Sequence, residues 1–106
     1  MDGTERMSVR TTGQDGAIRV AGDLDAYTVG DLEHELQRLD ADHDVWLDLS
    51  GVTFMDSSGI RAFVRLDNAL RPGGHQVVVV DPSISVLRLF ELTGLVDRFR
   101  IVGSAP

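Results

Sequence analysis

The sequence contains neither cysteine nor lysine. Without cysteine it cannot form disulfide bonds or thiolate metal sites. Without lysine it lacks the residue that contacts phosphate in a phosphate-binding loop, and it cannot use a lysine amine for covalent catalysis. A phosphate-accepting aspartate of the two-component type would also need a lysine beside clustered acids. These two absences exclude several classes of nucleotide-binding, phosphate-receiving and metal-binding protein.

Long apolar segments are absent as well. No apolar run approaches the roughly 20 residues that cross a bilayer, and residues 1–6 lack the basic-then-apolar order of a secretion signal. We therefore expect a cytoplasmic protein without a membrane partner. The 106 residues, of which 42% are hydrophobic, suit one ordinary core. We expect a single domain spanning residues 1–106.

Positive charge is scarce in the first half of the chain. The net charge is −7, and residues 1–56 hold 13 acidic side chains against 4 arginines, whereas residues 57–106 hold 6 arginines against 4 acids. An acidic first half repels nucleic acid and anionic lipid. We therefore expect neither as a partner.

Hydrophobic patterning predicts five β-strands. Segments that alternate apolar and polar residues, or are continuously apolar, indicate strands, and they cover residues 6–12, 17–21, 45–49, 76–80 and 98–101. Turn residues at 14–16 join the first two strands into a hairpin. Residues 22–25 are expected to leave the second strand as a loop, and Phe99 is expected to be exposed on the last strand.

Three segments have apolar residues at helical spacing. They begin after Thr28, a predicted N-cap, then near Ser57 or Ser58, and finally at Pro82, where Asp81 would be the N-cap. They end near residues 39, 71 and 93, the last two at turns that contain glycine. The order β-β-α-β-α-β-α-β predicts an α/β fold with a mixed, mostly parallel sheet, an N-terminal hairpin and three main helices packed on it.

Serine catalysis is not expected. A nucleophilic serine needs a base in contact with it, and that base is oriented by a third group. The histidines at positions 34, 43 and 75 are predicted on a charged helix face, in an acidic loop and before the fourth strand, and none is well placed to reach Ser57. The Gly-x-Ser-x-Gly turn of hydrolases is also missing, since Met55 stands two residues before Ser57. We therefore expect a protein that is not an enzyme.

An acidic segment copies part of a calcium-binding loop. Asp40, Asp42 and Asp44 would occupy its first, third and fifth positions, but Val45 and Gly51 replace the glycine and the glutamate of the sixth and twelfth. A solvated acidic turn explains the segment better. No Gly-x-Gly-x-x-Gly dinucleotide motif follows a strand either. We expect no metal ion and no cofactor.

The run Asp56-Ser57-Ser58-Gly59 follows the third strand and begins the second predicted helix. As a structural feature it is a helix N-cap, which is worth roughly 1 kcal/mol. One capping residue would suffice, however, and here two hydroxyls and a glycine accompany it. The free N–H groups and the dipole of a helix start favour negative charge, so a phosphorylated serine would be well placed there. The glycine would leave room for a partner's backbone or a kinase active site.

Three segments of the chain carry a family resemblance. Residues 48–59, with the sequence Asp-Leu-Ser-Gly-Val-Thr-Phe-Met-Asp-Ser-Ser-Gly, look like the signature of the STAS domain, specifically of the bacterial anti-sigma factor antagonists. Residues 22–25, Gly-Asp-Leu-Asp, resemble that family's Gly-Glu-Leu-Asp loop, and residues 85–95 are similar to its late helix and the turn after it. The match spans almost the whole chain in the same order and spacing.

This resemblance implies a STAS fold and a partner-switching mechanism. In that family the unphosphorylated domain binds an anti-sigma factor that is also a GHKL-type serine kinase, and the sigma factor is released to direct transcription, for example in a stress response. The kinase phosphorylates the serine directly after the motif aspartate, here Ser57, with Ser58 as the runner-up. A serine phosphatase later restores binding.

The resemblance also implies which residues meet the partner. They are the motif residues and the acids of the earlier loop, to which we add the nearby arginine: Asp56, Ser57, Ser58, Gly59, Asp23, Asp25 and Arg61. The chain has aspartate where the family has glutamate at position 23, and this shorter reach is expected to affect partner choice. Many relatives continue into another helix beyond the position of Pro106, and we expect that helix to be absent or very short.

Two alternatives stay open. A STAS domain can be a subunit or regulatory domain of a transporter that no kinase controls, although such relatives often lack the full Asp-Ser-Ser/Thr-Gly run. A small anion- or nucleotide-binding module would use the turn at residues 57–59, with Arg61 as its nearby cation.

Overall fold

The computed structural model describes residues 6–11, 17–40 and 42–103. This part of the chain contains five strands, β1 (Met7–Thr11), β2 (Ile18–Leu24), β3 (Val45–Met55), β4 (Val77–Val80) and β5 (Arg100–Val102). It contains three α-helices, α1 (Val29–Gln37), α2 (Ser57–Leu70) and α3 (Ile84–Leu92), and a 3-10 turn at Arg71–Gly73. None of these described helices has the length and apolar character that a membrane span requires. The predicted order of elements is confirmed, and the predicted turn at residues 14–16 lies outside the described residues.

The sheet has the strand order β1-β2-β3-β4-β5, with β1 antiparallel to β2 and all other neighbours parallel. Each crossover helix leads to the next strand in the same direction across the sheet, so the right-handed rule places all three helices on one face. The buried apolar side chains form one core between that face and the helices. Its fully buried members include Leu24, Leu32, Leu47, Phe63 and Phe90. The predicted α/β fold with a mostly parallel sheet is confirmed.

Trp46, Val78 and Arg100 are neighbours on adjacent strands, on the sheet face away from the helices. Val78 is fully buried because the side chains of its two neighbours, Trp46 and Arg100, meet over it. The guanidinium of Arg100 lies 5.7 Å from the centre of the Trp46 ring, within cation–π distance. The valine-rich strand is thus protected on both faces, although helices cover only one.

β2 and β3 extend further than their sequence patterns indicate. The expected loop at residues 22–25 is wrong, because β2 continues through Leu24 and places Asp23 opposite Phe54 on β3. Two register shifts interrupt this pairing, and they break the alternation by which a strand is recognised in a sequence. β3 pairs with β4 only through residues 45–48, so its second half has a strand neighbour on one side only.

The start of α3 also differs from the prediction. The N-cap is Ser83 rather than Asp81, and the Ser83 hydroxyl accepts a hydrogen bond of 3.2 Å from the backbone N–H of Val86. Asp81 instead has a left-handed backbone (φ 53°) and donates its N–H to the carbonyl of Val102 at 2.8 Å. Pro82 therefore precedes the helix, because the chain is still turning away from the sheet at this point.

The end of α3 is as predicted, but the residue expected to be exposed after it is not. Gly94 has the left-handed conformation (φ 73°) that commonly follows a helix. Phe99 is only 4% exposed and packs edge-on against Phe90, with ring centres 5.4 Å apart. The expectation of an exposed Phe99 is wrong, because this ring completes the core beneath α3.

Candidate functional site

The carboxyl ends of β2 and β3 lie together because the two strands are parallel. The backbone N–H of Asp56 donates to the carbonyl of Leu24 at 3.0 Å, which joins the two strand ends directly. Helix α2 begins at the next residue. We call this region the Ser57 edge and define it by the side chains of Arg6, Asp23, Asp25, Tyr27, Phe54, Asp56, Ser57 and Ser58.

Asp56 is the N-cap of α2. Its backbone is extended (φ −113°, ψ −172°), and its carboxylate accepts a hydrogen bond of 2.8 Å from the backbone N–H of Ser58. This is the side-chain cap that the sequence indicates, and it satisfies one of the free donors of the first turn. Asp56, the first residue of the motif, therefore stabilises the start of α2 through its carboxylate.

The two serines differ in accessibility. The Ser57 side chain is exposed, whereas Ser58 is half-buried. Within the described part of the chain, neither hydroxyl takes part in a hydrogen bond. Ser57 thus offers an unengaged nucleophile at the surface, which is the property that a phosphorylation site requires.

Gly59 is buried beneath the serines. A Cβ atom at this position would lie 2.9 Å from the Cβ of Leu24 and 2.9 Å from the Cγ of Met55. The sequence suggested that this glycine leaves room for an approaching partner. In the structure, the space beside it is occupied by Leu24 and Met55. The glycine lets the first turn of α2 pack directly on the ends of β2 and β3, and so fixes the position of Ser57.

Asp25 takes over the capping that the sequence assigned to Thr28. One oxygen of Asp25 accepts hydrogen bonds from the backbone N–H groups of Tyr27 (2.9 Å) and Thr28 (3.1 Å), and the other accepts one from Arg6 (2.8 Å). Thr28 does occupy the N-cap position of α1, but its hydroxyl donates to the carbonyl of Asp23 at 2.8 Å and makes no cap bond. Asp25, whose side chain is 13% exposed, is thus built into the loop.

Asp23 is more accessible than Asp25. Its side chain is 37% exposed and accepts a hydrogen bond of 3.1 Å from the hydroxyl of Thr53. Arg6 lies 3.6 Å from its second oxygen. One arginine therefore faces both aspartates of the predicted loop and offsets part of their charge.

Gly22 makes this contact possible. Its φ of +94° is in the region that favours glycine, and a Cβ here would lie 2.1 Å from the carbonyl oxygen of Arg6. The same carbonyl accepts a hydrogen bond of 2.6 Å from the N–H of Asp23. The glycine of the Gly-Asp-Leu-Asp segment thus holds Arg6 against the acids that follow it.

Arg61 lies one helical turn after Ser57, so the two side chains share a face of α2. It is exposed and, within the described residues, makes no hydrogen bond or ion pair. This position leaves its guanidinium free to interact with a group that arrives at Ser57.

Two exposed aromatic rings belong to this edge, and sequence reasoning missed both. Tyr27 is 85% exposed and Phe54 is 51% exposed. The guanidinium of Arg6 lies 5.4 Å from the centre of the Tyr27 ring. The signal for Phe54 was its place between a buried strand and the motif aspartate. Tyr27 lies between two predicted elements, where the sequence pattern does not indicate whether a side chain is buried or exposed.

The first residues of the signature segment, 48–51, stabilise the sheet. Asp48 accepts a hydrogen bond of 2.9 Å from the N–H of Ser50 and pairs with Arg19 at 3.2 Å. Burial raises the pKa of Asp48, but the hydrogen bonds from Ser50 and the Arg19 charge outweigh it, so the pKa lies below its ordinary value. Gly51 packs against β2, where a Cβ would lie 2.9 Å from the Cβ of Ala21. These residues fix the β2–β3 pairing that places the serines.

The histidines lie away from Ser57. The imidazole of His75 is 3.5 Å from Asp44, and that of His43 is 3.9 Å from Asp42. Within the described residues none of the three histidines is bonded to Ser57. The arrangement of a base beside a nucleophilic serine is therefore not found in this part of the chain.

The acidic loop before β3 brings possible ligand atoms together. One ligand atom from each of Asp40, Asp42 and His43 lies within 4.8 Å of the others, and all three side chains are exposed. Exposed acidic groups of this kind are common without a metal ion. The cluster lies at the amino-terminal end of β3, opposite the Ser57 edge.

Comparison with known proteins identifies the family. A sequence profile of the STAS domain matches residues 6–104. The anti-sigma-B factor antagonist of Staphylococcus aureus is 36% identical over 99 residues, which span 90% of this chain and 92% of the relative. An anti-sigma factor antagonist from Mycobacterium paratuberculosis has a similar structure, with a TM-score of 0.72 at 27% identity over 91% of this chain and 85% of the other.

The SpoIIAA structures are similar in fold. The unphosphorylated form gives a TM-score of 0.74 at 18% identity over 93% and 88% of the two chains. The phosphorylated form of the Bacillus protein gives 0.67 at 15% identity over 93% and 91%. The profile match and the curated relative together establish that the chain belongs to the STAS domain family.

Proposed function

We propose that this chain is an anti-sigma factor antagonist whose partner binding is switched off by phosphorylation of Ser57. In this proposal the unphosphorylated chain binds an anti-sigma factor that is also a GHKL-type serine kinase, and the sigma factor is released. The observation that most supports it is the exposed, unbonded hydroxyl of Ser57 at the first position of α2, directly after its Asp56 cap. The name of the Staphylococcus aureus relative supports the same function.

The chain supplies the acceptor and the kinase supplies the chemistry. The kinase transfers the terminal phosphoryl group of ATP to the Ser57 oxygen, which leaves phosphoserine and ADP, and a serine phosphatase removes the group by hydrolysis. The chain itself needs no catalytic residue or cofactor in this scheme. ATP as the phosphoryl donor assigns the reaction to the cytoplasm.

The partner surface is proposed to comprise Asp23, Asp25, Asp56, Arg61 and the two serines around Gly59. The burial of Asp25 and Gly59 favours a positioning role for those two. Asp23 and Arg61 are more accessible, so they are the better candidates for direct contact. Ser58 remains the second candidate acceptor, since its hydroxyl is half-buried but unbonded.

A phosphate at Ser57 would oppose binding without unfolding the chain. It adds about −1.5 to −2 charges, and the start of α2 tolerates them because of its dipole. Across an interface, one added charge about 6 Å from a partner carboxylate costs roughly 3 kcal/mol at an effective dielectric constant of about 20. For a doubly charged group this corresponds to a loss of affinity of about two to four orders of magnitude. Both the unphosphorylated and the phosphorylated form of SpoIIAA share the fold of this chain, which is compatible with a switch of this kind.

Phosphorylation of Ser57 can be tested directly. The purified chain is incubated with the GHKL-type kinase encoded in the same genome and with ATP, and the modified residue is located by mass spectrometry. We expect label on Ser57, no label on Ser57→Ala, and normal labelling of Ser58→Ala as the matched control. Label on Ser58 or elsewhere would contradict the assignment of the acceptor.

The switch is tested by binding. Ser57→Ala should bind the same kinase as tightly as the wild-type chain does, whereas Ser57→Asp should bind at least about tenfold more weakly because it places a charge at the interface. Titration calorimetry measures both. Equal affinity of the two variants would remove the electrostatic explanation.

A further inference from the structure

We propose that Tyr27 and Phe54 are the aromatic contacts through which the anti-sigma factor docks on the Ser57 edge. This inference rests on the proposed function, because it names the side chains that bind the partner of that same site. It predicts that the interface on the Ser57 edge has an apolar part centred on these two rings, beside the charged contacts of Asp23 and Arg61.

The exposure of the two rings is the first argument. Tyr27 is 85% exposed and Phe54 is 51% exposed. Single exposed apolar residues are normal on a protein surface, but these two belong to the same edge, where Arg6 approaches both Tyr27 and the strand partner of Phe54. Tyrosine and phenylalanine are enriched in protein interfaces, and tyrosine is among the residues that most often dominate binding energy.

A chain of contacts places the rings on one surface. Phe54 lies opposite Asp23 in the pairing of β2 with β3. Asp23 is 3.6 Å from the guanidinium of Arg6, and that guanidinium lies 5.4 Å from the centre of the Tyr27 ring. Ser57 follows Phe54 by three residues, directly after the Asp56 cap.

The backbone that carries Tyr27 is ordered before any partner arrives. Its backbone N–H donates to the carboxylate of Asp25 at 2.9 Å, and the guanidinium of Arg6 lies over its ring. A binding segment whose backbone is already ordered loses less freedom on binding. The elaborate hydrogen bonding of this loop thus has a use beyond starting α1, since it presents an aromatic ring to solvent.

The acidic charge beside the rings is compensated only in part within the chain. Arg6 pairs with Asp25 at 2.8 Å and approaches Asp23, which also accepts a hydrogen bond from Thr53. The remaining negative charge favours a cation on the partner beside the rings. An apolar pocket that accepts the two rings, with a cation at its rim, is the chemistry that fits.

This surface makes the phosphate more disruptive than charge repulsion alone would. A dianion on Ser57 would have to lose much of its hydration when a partner covers this edge, and Arg61 would neutralise only part of its charge. Phosphorylation would therefore weaken docking even where no partner carboxylate faces the serine.

The test compares Tyr27→Ala and Phe54→Ala with a matched control. Leu92→Ala removes an apolar side chain that is equally exposed (78%) at the far end of α3. The probe is the GHKL-type kinase encoded in the same genome, and titration calorimetry measures the dissociation constant. We expect each aromatic variant to bind at least about tenfold more weakly, whereas Leu92→Ala stays within about twofold of the wild-type chain.

Folding is monitored by thermal melts of every variant. Tyr27→Ser and Phe54→Leu are measured as well, so that a change in stability at one position does not decide the result. If Phe54→Ala melts early, the highly exposed Tyr27 still decides it, since its ring contributes little to the core.

The possible failures are distinct. If the kinase binds and labels the wild-type chain while both aromatic variants bind equally well, the proposed function stands and this inference is wrong. A loss of affinity in Leu92→Ala as large as that of the aromatic variants also overturns it. If the wild-type chain neither binds the kinase nor is labelled by it, the proposed function fails and this inference falls with it.

Discussion

The two ends of helix α2 are built in opposite ways. At its start, the Asp56 carboxylate makes one cap hydrogen bond, and Ser57 and Arg61 beside it are left exposed. Near its end, the carboxylate of Asp67 is 1% exposed and accepts from Arg71 (2.6 Å) and from the N–H of Val77 (3.0 Å). One end is open to modification, whereas the other is fully engaged.

The carboxyl end of α2 contacts parts of the chain that are distant in sequence. Asp67 also lies 3.3 Å from Arg98, which precedes β5, and Arg98 bonds to Asn68 as well. The Val77 contact holds the start of β4. The helix is therefore fixed to two strands at its carboxyl end by contacts that do not involve the residues of its amino end.

The largest expected effect tests the engaged end. Asp67→Ala leaves the buried N–H of Val77 without an acceptor and removes the charged hydrogen bond to Arg71 and the contact with Arg98, for a combined loss of about 3–5 kcal/mol. We expect the free energy of unfolding in urea to fall by that amount. Asp67→Asn should lose less, because its amide oxygen can still accept from Val77.

A fall of less than about 1 kcal/mol for Asp67→Ala, which is typical of an ordinary substitution, would show that the two ends do not differ as described. The charge pairs would then be surface pairs with little effect on stability.

A medium effect tests how the open end is positioned. Gly59→Ala places a methyl group 2.9 Å from atoms of Leu24 and Met55, and such overpacking costs typically about 1–3 kcal/mol. Gly30→Ala in α1 is the control, since a Cβ there meets nothing within 4 Å and should stabilise the helix by about 0.5–1 kcal/mol. Urea unfolding measures both. Equal effects in the two variants would contradict close packing as the reason for Gly59.

The smallest effect is the most informative about the open end. Ser57→Glu adds a charge at the start of α2 and one turn before Arg61, where both the dipole and the i,i+4 pair are favourable by a few tenths of a kcal/mol. We expect the free energy of unfolding of the free chain to change by less than about 0.5 kcal/mol, or to rise slightly. A loss of more than about 1 kcal/mol would mean that the open end cannot accept a negative charge.

The sequence predicted what depends on local patterns. The order of strands and helices, the Asp56 cap and the left-handed Gly94 follow from periodicity and capping chemistry, and the structure confirms them. The end of β2 was mispredicted because its register shifts disturb the alternation of residues. The cap of α3 was assigned to Asp81 because an aspartate before a proline imitates a helix start.

The features that were missed depend on contacts across the chain. No sequence pattern singles out Asp67 on α2, and its partner Arg98 is distant in sequence. Asp25 was recognised only by resemblance, although it caps the loop before α1. The exposure of Tyr27 follows from how Arg6 and Asp25 hold this loop, and no periodic pattern records that.

The unequal pairing of β3 has a consequence for access. The second half of β3 extends beyond its pairing with β4, which ends at residue 48. This extension places Ser57 away from the shorter strands of the sheet. If a kinase modifies Ser57 as proposed, it would approach this extended part of β3 and the start of α2. It would not have to displace β4 or β5 to reach the hydroxyl.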